Sequence, residues 1–190
     1  MGNIYFEEKH FKDIDFSTTT ITKGEYENCS FSNCNFSNAN LSGISFSECQ
    51  FNDCNMSMAK LSETAFRDIE FGGCKLLGLH FDHCKDFLFS ATFDNCTLNL
   101  SSFYKLKLKR TLFKDCILHE VDFADADLTA ANFNSCDLSG AVFENTILEK
   151  ADFRTAYNYS INPELNKIKK AQFSAAGIAG LLDKYDIIIE

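Results

Sequence analysis

A large apolar residue returns at every fifth position of this chain, and few folds can use such a spacing. From Phe6 to Phe81 the series has 16 consecutive members, among them Phe11, Phe31, Phe51 and Phe71. The register then slips by two residues, resumes at Leu88 and runs for 14 more members to Phe153. A five-residue period fits neither the 3.6-residue turn of an α-helix nor the two-residue alternation of a strand. A chain that turns one large side chain inward every five residues must bend once per repeat, and four bends close a square. A second period of twenty should follow, and the sequence contains it. Phe93, Phe113, Phe133 and Phe153 lie twenty apart, as do Leu88, Leu108, Leu128 and Leu148. Each side of the square is expected to stack one residue type along the axis.

The position two before each central residue is mostly small and is also expected to face inward. Cys34, Cys54 and Cys74 stand there at twenty-residue intervals, as do Cys96, Cys116 and Cys136, with Cys29 and Cys49 beside them. Their phase makes them small core fillers. The chain has nine cysteines and no Cys-x-x-Cys pair, so they do not read as a zinc site. Coils spaced by about 4.8 Å would hold stacked thiols beyond disulfide reach. Reduced thiols fit the cytoplasm. The other three positions are rich in Ser, Asn, Asp, Glu, Lys and Gly and should form corners and wetted surface.

Units such as Ala39-Asn40-Leu41-Ser42-Gly43, Ala126-Asp127-Leu128-Thr129-Ala130 and Ala151-Asp152-Phe153-Arg154-Thr155 resemble the consensus of the pentapeptide-repeat family. The resemblance covers about residues 4–157 and implies an all-β solenoid, a right-handed quadrilateral β-helix of pentapeptide repeats. Phe31, Phe51, Phe71, Phe93, Phe113, Phe133, Phe153, Leu108, Leu128 and Leu148 are its expected structural core. Ile44, Ile69, Leu79, Leu106 and Val121 occupy the small inward place and predict local bulging. Some seven coils would make a rod of roughly 35 Å. Each coil would be stable only on its neighbours.

The pattern changes character at Tyr157, so the expected organisation is a β-helix over 1–157 and a C-terminal cap or dimerisation segment over 158–190. Ser174 suits the start of a short helix from about Ala175 to Tyr185, and Ile187-Ile188-Ile189 reads as a short strand. Members of the quinolone-resistance type, which this arrangement resembles, join two rods end to end through such a segment. The resemblance therefore implies a homodimer, with Ile178, Leu181, Leu182, Ile187 and Ile189 as cap or contact.

The chain carries 27 Asp and Glu against 18 Lys and Arg, a net charge of -9. That balance argues against direct binding of nucleic acid or an anionic membrane. The N-terminus lacks the pattern of a secretory signal, and no apolar run approaches the roughly 18 residues of a membrane span. No nucleophile–base set, P-loop or dinucleotide fingerprint is present, so the chain reads as a non-enzyme with no cofactor and no metal. His80-Phe81-Asp82-His83 contains a His-x-x-His, but an inward Phe81 should splay the two imidazoles around a corner. The slip itself, at residues 82–87, should be a small corner bulge with Phe87 and Phe89 packed beneath it.

Two functions remain. A non-catalytic protein-interaction rod needs nothing beyond the fold. The resemblance implies a sharper alternative, a mimic of duplex DNA that binds DNA gyrase or topoisomerase IV and protects it from fluoroquinolones. Asp122, Asp127, Asp137 and Asp152 would then be its acidic interaction surface. At one charge per roughly 1.7 Å, a DNA-like rod of about 35 Å would bear about 20 negative charges, roughly twice the net charge here. Lys105 and Lys107, twenty residues before Asp125 and Asp127, are expected to pair with them and interrupt an acidic stripe.

Overall fold

The computed structural model describes residues 4–87 and 89–188, so Leu88 and Ile189 lie outside the described residues. The chain winds as a four-sided parallel solenoid. Its strands are short: β1 (Tyr5–Glu7), β2 (His10–Lys12), β3 (Glu25–Glu27), β4 (Ser30–Ser32), β5 (Ser45–Ser47), β6 (Gln50–Asn52), β7 (Ala65–Arg67), β8 (Ile69–Gly72), β9 (Ala91–Asp94), β10 (Leu112–Lys114), β11 (Asn132–Asn134), β12 (Asp152–Phe153) and β13 (Gln172–Phe173). Face 1 begins with the sheet β1-β3-β5-β7, and face 2 is a nine-stranded sheet from β2 to β13. Faces 3 and 4 are ladders of single bridges, Asp15–Asn35–Asn55–Lys75–Thr97–Ile117–Asp137–Tyr157 and His80–Ser102–Asp122–Val142.

Pairing runs at an offset of twenty and shifts to 22 at the slip, where Phe71 meets Phe93 and Lys75 meets Thr97. The two expected phenylalanine series are therefore one column, which Phe173 extends to nine rings: Phe11, Phe31, Phe51, Phe71, Phe93, Phe113, Phe133, Phe153 and Phe173. Successive rings stack 4.7–5.3 Å apart, within 21° of parallel. Eight steps of about 4.8 Å give a rod of about 38 Å, one coil longer than expected. Rings on face 4 meet this column edge-on, as Phe103 does Phe93 and Phe113, each at 5.9 Å. Edge-to-face contact is the favoured aromatic geometry and adds about 0.5–1.5 kcal/mol per pair beyond area burial. Leu108, Leu128 and Leu148 line face 1 and are at most 1% exposed.

Most corners are made by the residue two after the central one, held in the left-handed region; Thr18, Lys23, His83 and Thr155 are exceptions. Asn33, Asn38, Asp53 and Asn95 suit it, but Leu100, Arg110 and Lys150 adopt it too, at φ of +59° to +62°. Left-handed backbone costs a side-chain-bearing residue roughly 1–2 kcal/mol. The next coil helps offset this: Arg110 N–H donates to the Thr129 carbonyl, and Lys150 N–H to that of Lys169, each at 3.0 Å.

The inward small position is polar for a reason. Eight of the nine thiols, all but Cys84, reach the carbonyl of the coil below: Cys54 Sγ lies 3.4 Å from the Phe31 carbonyl oxygen, Cys74 Sγ 3.2 Å from that of Phe51. Cys96 makes the same contact across the slip, to Phe71 at 3.4 Å. Cys34, Cys54, Cys74, Cys96, Cys116 and Cys136 therefore form one column along the rod. Thr64, Ser101 and Thr146 donate in the same way, to Leu41, Leu76 and Phe123 at 2.7–2.9 Å. Buried polar groups are tolerated where such partners exist.

The repeat does not stop at Tyr157, which corrects the expected boundary. Parallel pairing continues through Ile147–Lys167 to β12–β13. Asn166 takes the inward polar place there, donating to the Phe143 carbonyl at 2.8 Å and accepting from Thr146 N–H at 2.9 Å. Beyond Phe173 the chain forms two 3-10 turns, Ala176–Leu181 and Asp183–Tyr185, rather than one helix. Gly177 and Gly180 press against Tyr159, and a Cβ on either would collide with it. Ile187 and Ile188 form no strand. No helix among the described residues is long and apolar enough to cross a membrane.

Candidate interaction faces

The nine cysteines are free and buried. Burial pushes the Cys49 thiol up to about 12 and also raises Cys84, so both stay protonated and unreactive at neutral pH. The thiols belong to the packing.

The four aspartates of the expected acidic surface do not come together. Asp122 is on face 4, Asp127 on face 1, Asp137 on face 3 and Asp152 on face 2. Each ties its own turn instead, accepting the backbone N–H two residues on: Ala124 at 2.8 Å, Thr129 at 3.1 Å, Ser139 at 3.1 Å and Arg154 at 3.0 Å. This is the Asx turn, which explains why Asp and Asn recur just before the central residue. Three of the four also face a basic group. Lys109 Nζ is 3.2 Å from Asp127, His119 Nε2 is 2.9 Å from Asp137, and Arg154 grips Asp152 at 2.7 Å. The cation on Asp127 is thus Lys109 and not Lys107, its ladder neighbour. Lys105 lies over the Tyr104 ring at 4.6 Å.

The histidines also depart from expectation. A 3-10 turn over Phe81–His83 buries Phe81 and turns His80 and His83 to the same side, where their rings stack at 4.8 Å. Asp82 lies between them, 3.3 Å from His80 Nδ1 and 3.6 Å from His83 Nε2. Together the three residues present donor atoms within 4.8 Å of one another. Such separations suit three ligands of one divalent ion, on side chains that are more than half exposed at both imidazoles.

The charge of face 1 is divided by the slip. On its first four coils stand Glu7, Glu8, Glu25, Glu27, Glu48 and Asp68 against Arg67, a net of -5. On its last four, Lys107, Lys109 and Arg110 share one coil and Lys167, Lys169 and Lys170 another, with Lys150 between. Asp127 and Glu149 oppose these seven cations, leaving a net of +5. Segment 85–90 crosses the middle of the face, held by Lys85 N–H to the Thr64 carbonyl and Ser90 N–H to that of Phe66. Phe89 packs inward there, but Phe87 is 72% exposed rather than packed beneath the bulge. Reading down rows of twenty beside Leu108, Leu128 and Leu148 would have revealed the cations. Reading along the chain mixes them with the acids of other faces.

At the C-terminal end Leu181 packs on the core and Leu182 is half-buried, whereas Ile178 is 49% exposed and Ile187 55%. The cap and the exposed apolar end are thus different residues. A groove of about 820 Å³ lies beside them, lined by Gly140, Arg154, Tyr157, Ser174 and Asp183 among others.

The structure is similar to that of HetL, a pentapeptide repeat protein involved in heterocyst differentiation regulation from the cyanobacterium Nostoc sp. strain PCC 7120. The TM-score is 0.63 at 16% identity, over 90% of this chain and 87% of that one. QnrB1, a plasmid-mediated fluoroquinolone resistance protein, aligns at a TM-score of 0.46 and 22% identity over 97% of this chain and 99% of that one. No curated protein matches the sequence. The family model of the pentapeptide repeat region matches residues 24–85 and 86–173, meeting at the slip. With the five-residue period and the stacked coils it repeats, that match places the chain in the pentapeptide-repeat family.

Proposed function

We propose that this chain is a non-catalytic rod that works by holding a protein partner along its outer faces. The observation that carries this reading is where the reactive groups are spent. Thiols and hydroxyls point into a core filled by stacked rings and bond the next coil, and the aspartates close turns. Apart from the His80-Asp82-His83 cluster and a few exposed apolar side chains, what remains outward is charged and polar surface, which suits contact with another macromolecule. Reduced, buried thiols fit work in the cytoplasm. The exposed Ile178 and Ile187 suit an end-to-end contact between two copies. Affinity capture from the native cytoplasm tests the reading: a stoichiometric protein partner supports it, whereas turnover of a small substrate by the purified chain refutes it.

The second reading is a DNA-mimicking binder of gyrase or topoisomerase IV. Its support is the net charge of -9 on a rod of duplex-like length. Duplex DNA would place about 22 charges on about 38 Å, whereas the six carboxylates on the first half of face 1 are the densest run on any one face. That ranks it second. Unchanged gyrase supercoiling with added protein, with and without a fluoroquinolone, removes it.

A further inference from the structure

Face 1 carries its own complement. Counting coils along it, four precede the segment that bears Phe87, centred on Phe6, Tyr26, Phe46 and Phe66, and four follow, centred on Leu108, Leu128, Leu148 and Ile168. The first group is net -5 and the second net +5. The outermost coils are strongly opposite, Glu7 and Glu8 at one end and Lys167, Lys169 and Lys170 at the other, and the coils of Tyr26 and Leu108 match them in charge. All five of the outermost charges are exposed. A two-fold axis lying in the plane of the face, at right angles to the rod and level with Phe87, exchanges the two groups. It would lay the acidic half of one rod on the basic half of another and set Phe87 against Phe87.

We propose that face 1 is a self-complementary surface on which two copies of this chain pair side by side and antiparallel. Three features of the face fit a second copy better than an unrelated anionic or cationic partner. The opposite charges are equal, their boundary falls at the middle coil, and the exposed ring sits on that boundary. An isologous contact needs this kind of self-complementarity. Local mismatches, such as Glu48 facing Asp127, lie within one or two coils of opposite charge. The screening length of about 8 Å at physiological salt averages over that distance. The face is about 38 Å long and about 10 Å wide, so each copy covers on the order of 400 Å². That is about half the standard area per partner. The pair is therefore weak, and its charges set both its register and its dependence on salt.

The proposal rests on reading the chain as an interaction rod, but its test uses the purified chain alone, so its failure would leave the partner capture above untouched. Sedimentation velocity is compared at about 50 mM and about 500 mM NaCl, which shortens the screening length roughly threefold. The expected result is a mass that doubles at low salt, also in an Ile178→Asp/Ile187→Asp background, where an apolar end-to-end contact is removed. Lys167→Glu/Lys169→Glu/Lys170→Glu and Glu7→Lys/Glu8→Lys/Glu27→Lys chains, each checked for an unchanged circular dichroism spectrum, should not pair with themselves. Mixed, they should pair with each other. A Phe87→Cys chain should cross-link to itself under a mild oxidant at low salt, because its nine native thiols are buried. A salt-independent mass with no pairing in the mixture overturns the proposal. Pairing without the Phe87→Cys cross-link overturns the antiparallel geometry.

Discussion

The two halves of the rod solve one packing problem in different ways. Before the slip, rings stack on face 1, Phe6, Tyr26, Phe46 and Phe66 at 4.5–5.6 Å, with Phe16 on Phe36 on face 3 at 4.6 Å, and face 4 is closed by Ile21, Leu41 and Leu61. After it, Phe103, Phe123 and Phe143 stack on face 4 at 5.3–5.4 Å, and Leu108, Leu128 and Leu148 close face 1. Face 2 is phenylalanine throughout. One unbroken aromatic column therefore runs through every coil, while the other rings can sit on either side of it. The slip is the joint at which they change side, with Phe81 passing the stack to Phe103 at 4.6 Å.

If the shared column matters equally in both halves, Phe51→Ala and Phe113→Ala should each cost about 3–5 kcal/mol, measured by urea unfolding. A large loss in only one half would show that the halves are unequal. The exchange of sides is tested by a swap in the second half. Leu128→Phe alone overpacks and should cost about 1–3 kcal/mol, and Phe123→Leu alone leaves a void. The double variant recreates the first-half arrangement and should be more stable than the two single costs predict, by about 1 kcal/mol or more. Additive costs would break the comparison.

The thiol column runs through both halves and should treat them alike. Cys54→Ala and Cys116→Ala remove the donor to a buried carbonyl and should each cost about 1–2 kcal/mol. Replacement by Ser, which keeps a donor, should cost less. Labelling with a thiol reagent should be slow at all nine positions until the chain is unfolded.

Acid should act mainly on the second half of face 3. Burial pushes the Asp137 carboxyl up, but His119, Asn158 and Ser139 around it outweigh this and hold it at about 2. Its folded value lies below the ordinary value of about 3.9. The stabilisation is present above about pH 4 and is lost as pH falls towards about 2. Screened by solvent, it should amount to less than about 1 kcal/mol. Asp137→Asn should flatten this part of the pH–stability curve; on the same ladder in the first half Asn35 and Asn55 contribute no such slope, and Asp15, held down by its hydrogen bonds from Ser17, acts in the same direction at a fully exposed site.

The fold was legible because a five-residue period admits so few geometries. The columns Phe31 to Phe71 and Phe93 to Phe153 could be read directly, and only the offset of 22 that joins them was hidden. The last coil was not legible: Asn166 replaces a small residue and Tyr159 breaks the phase, so pairing alone identifies β13. The outer surface was the least legible part. A solenoid brings together residues twenty apart, so neighbours in sequence, such as Asp122 and Asp127, end on different faces. The histidine cluster was missed because two inserted residues allow a 3-10 turn that the regular corner would not form.

The slip joins the halves into one solenoid and does not divide them. Amide hydrogen exchange resolved along the chain tests this most directly. One common level of protection is expected for buried backbone donors from Tyr26 to Tyr157, interrupted only near residues 83–90. A step at the slip, with one half exchanging through its own unfolding while the other stays protected, would contradict it.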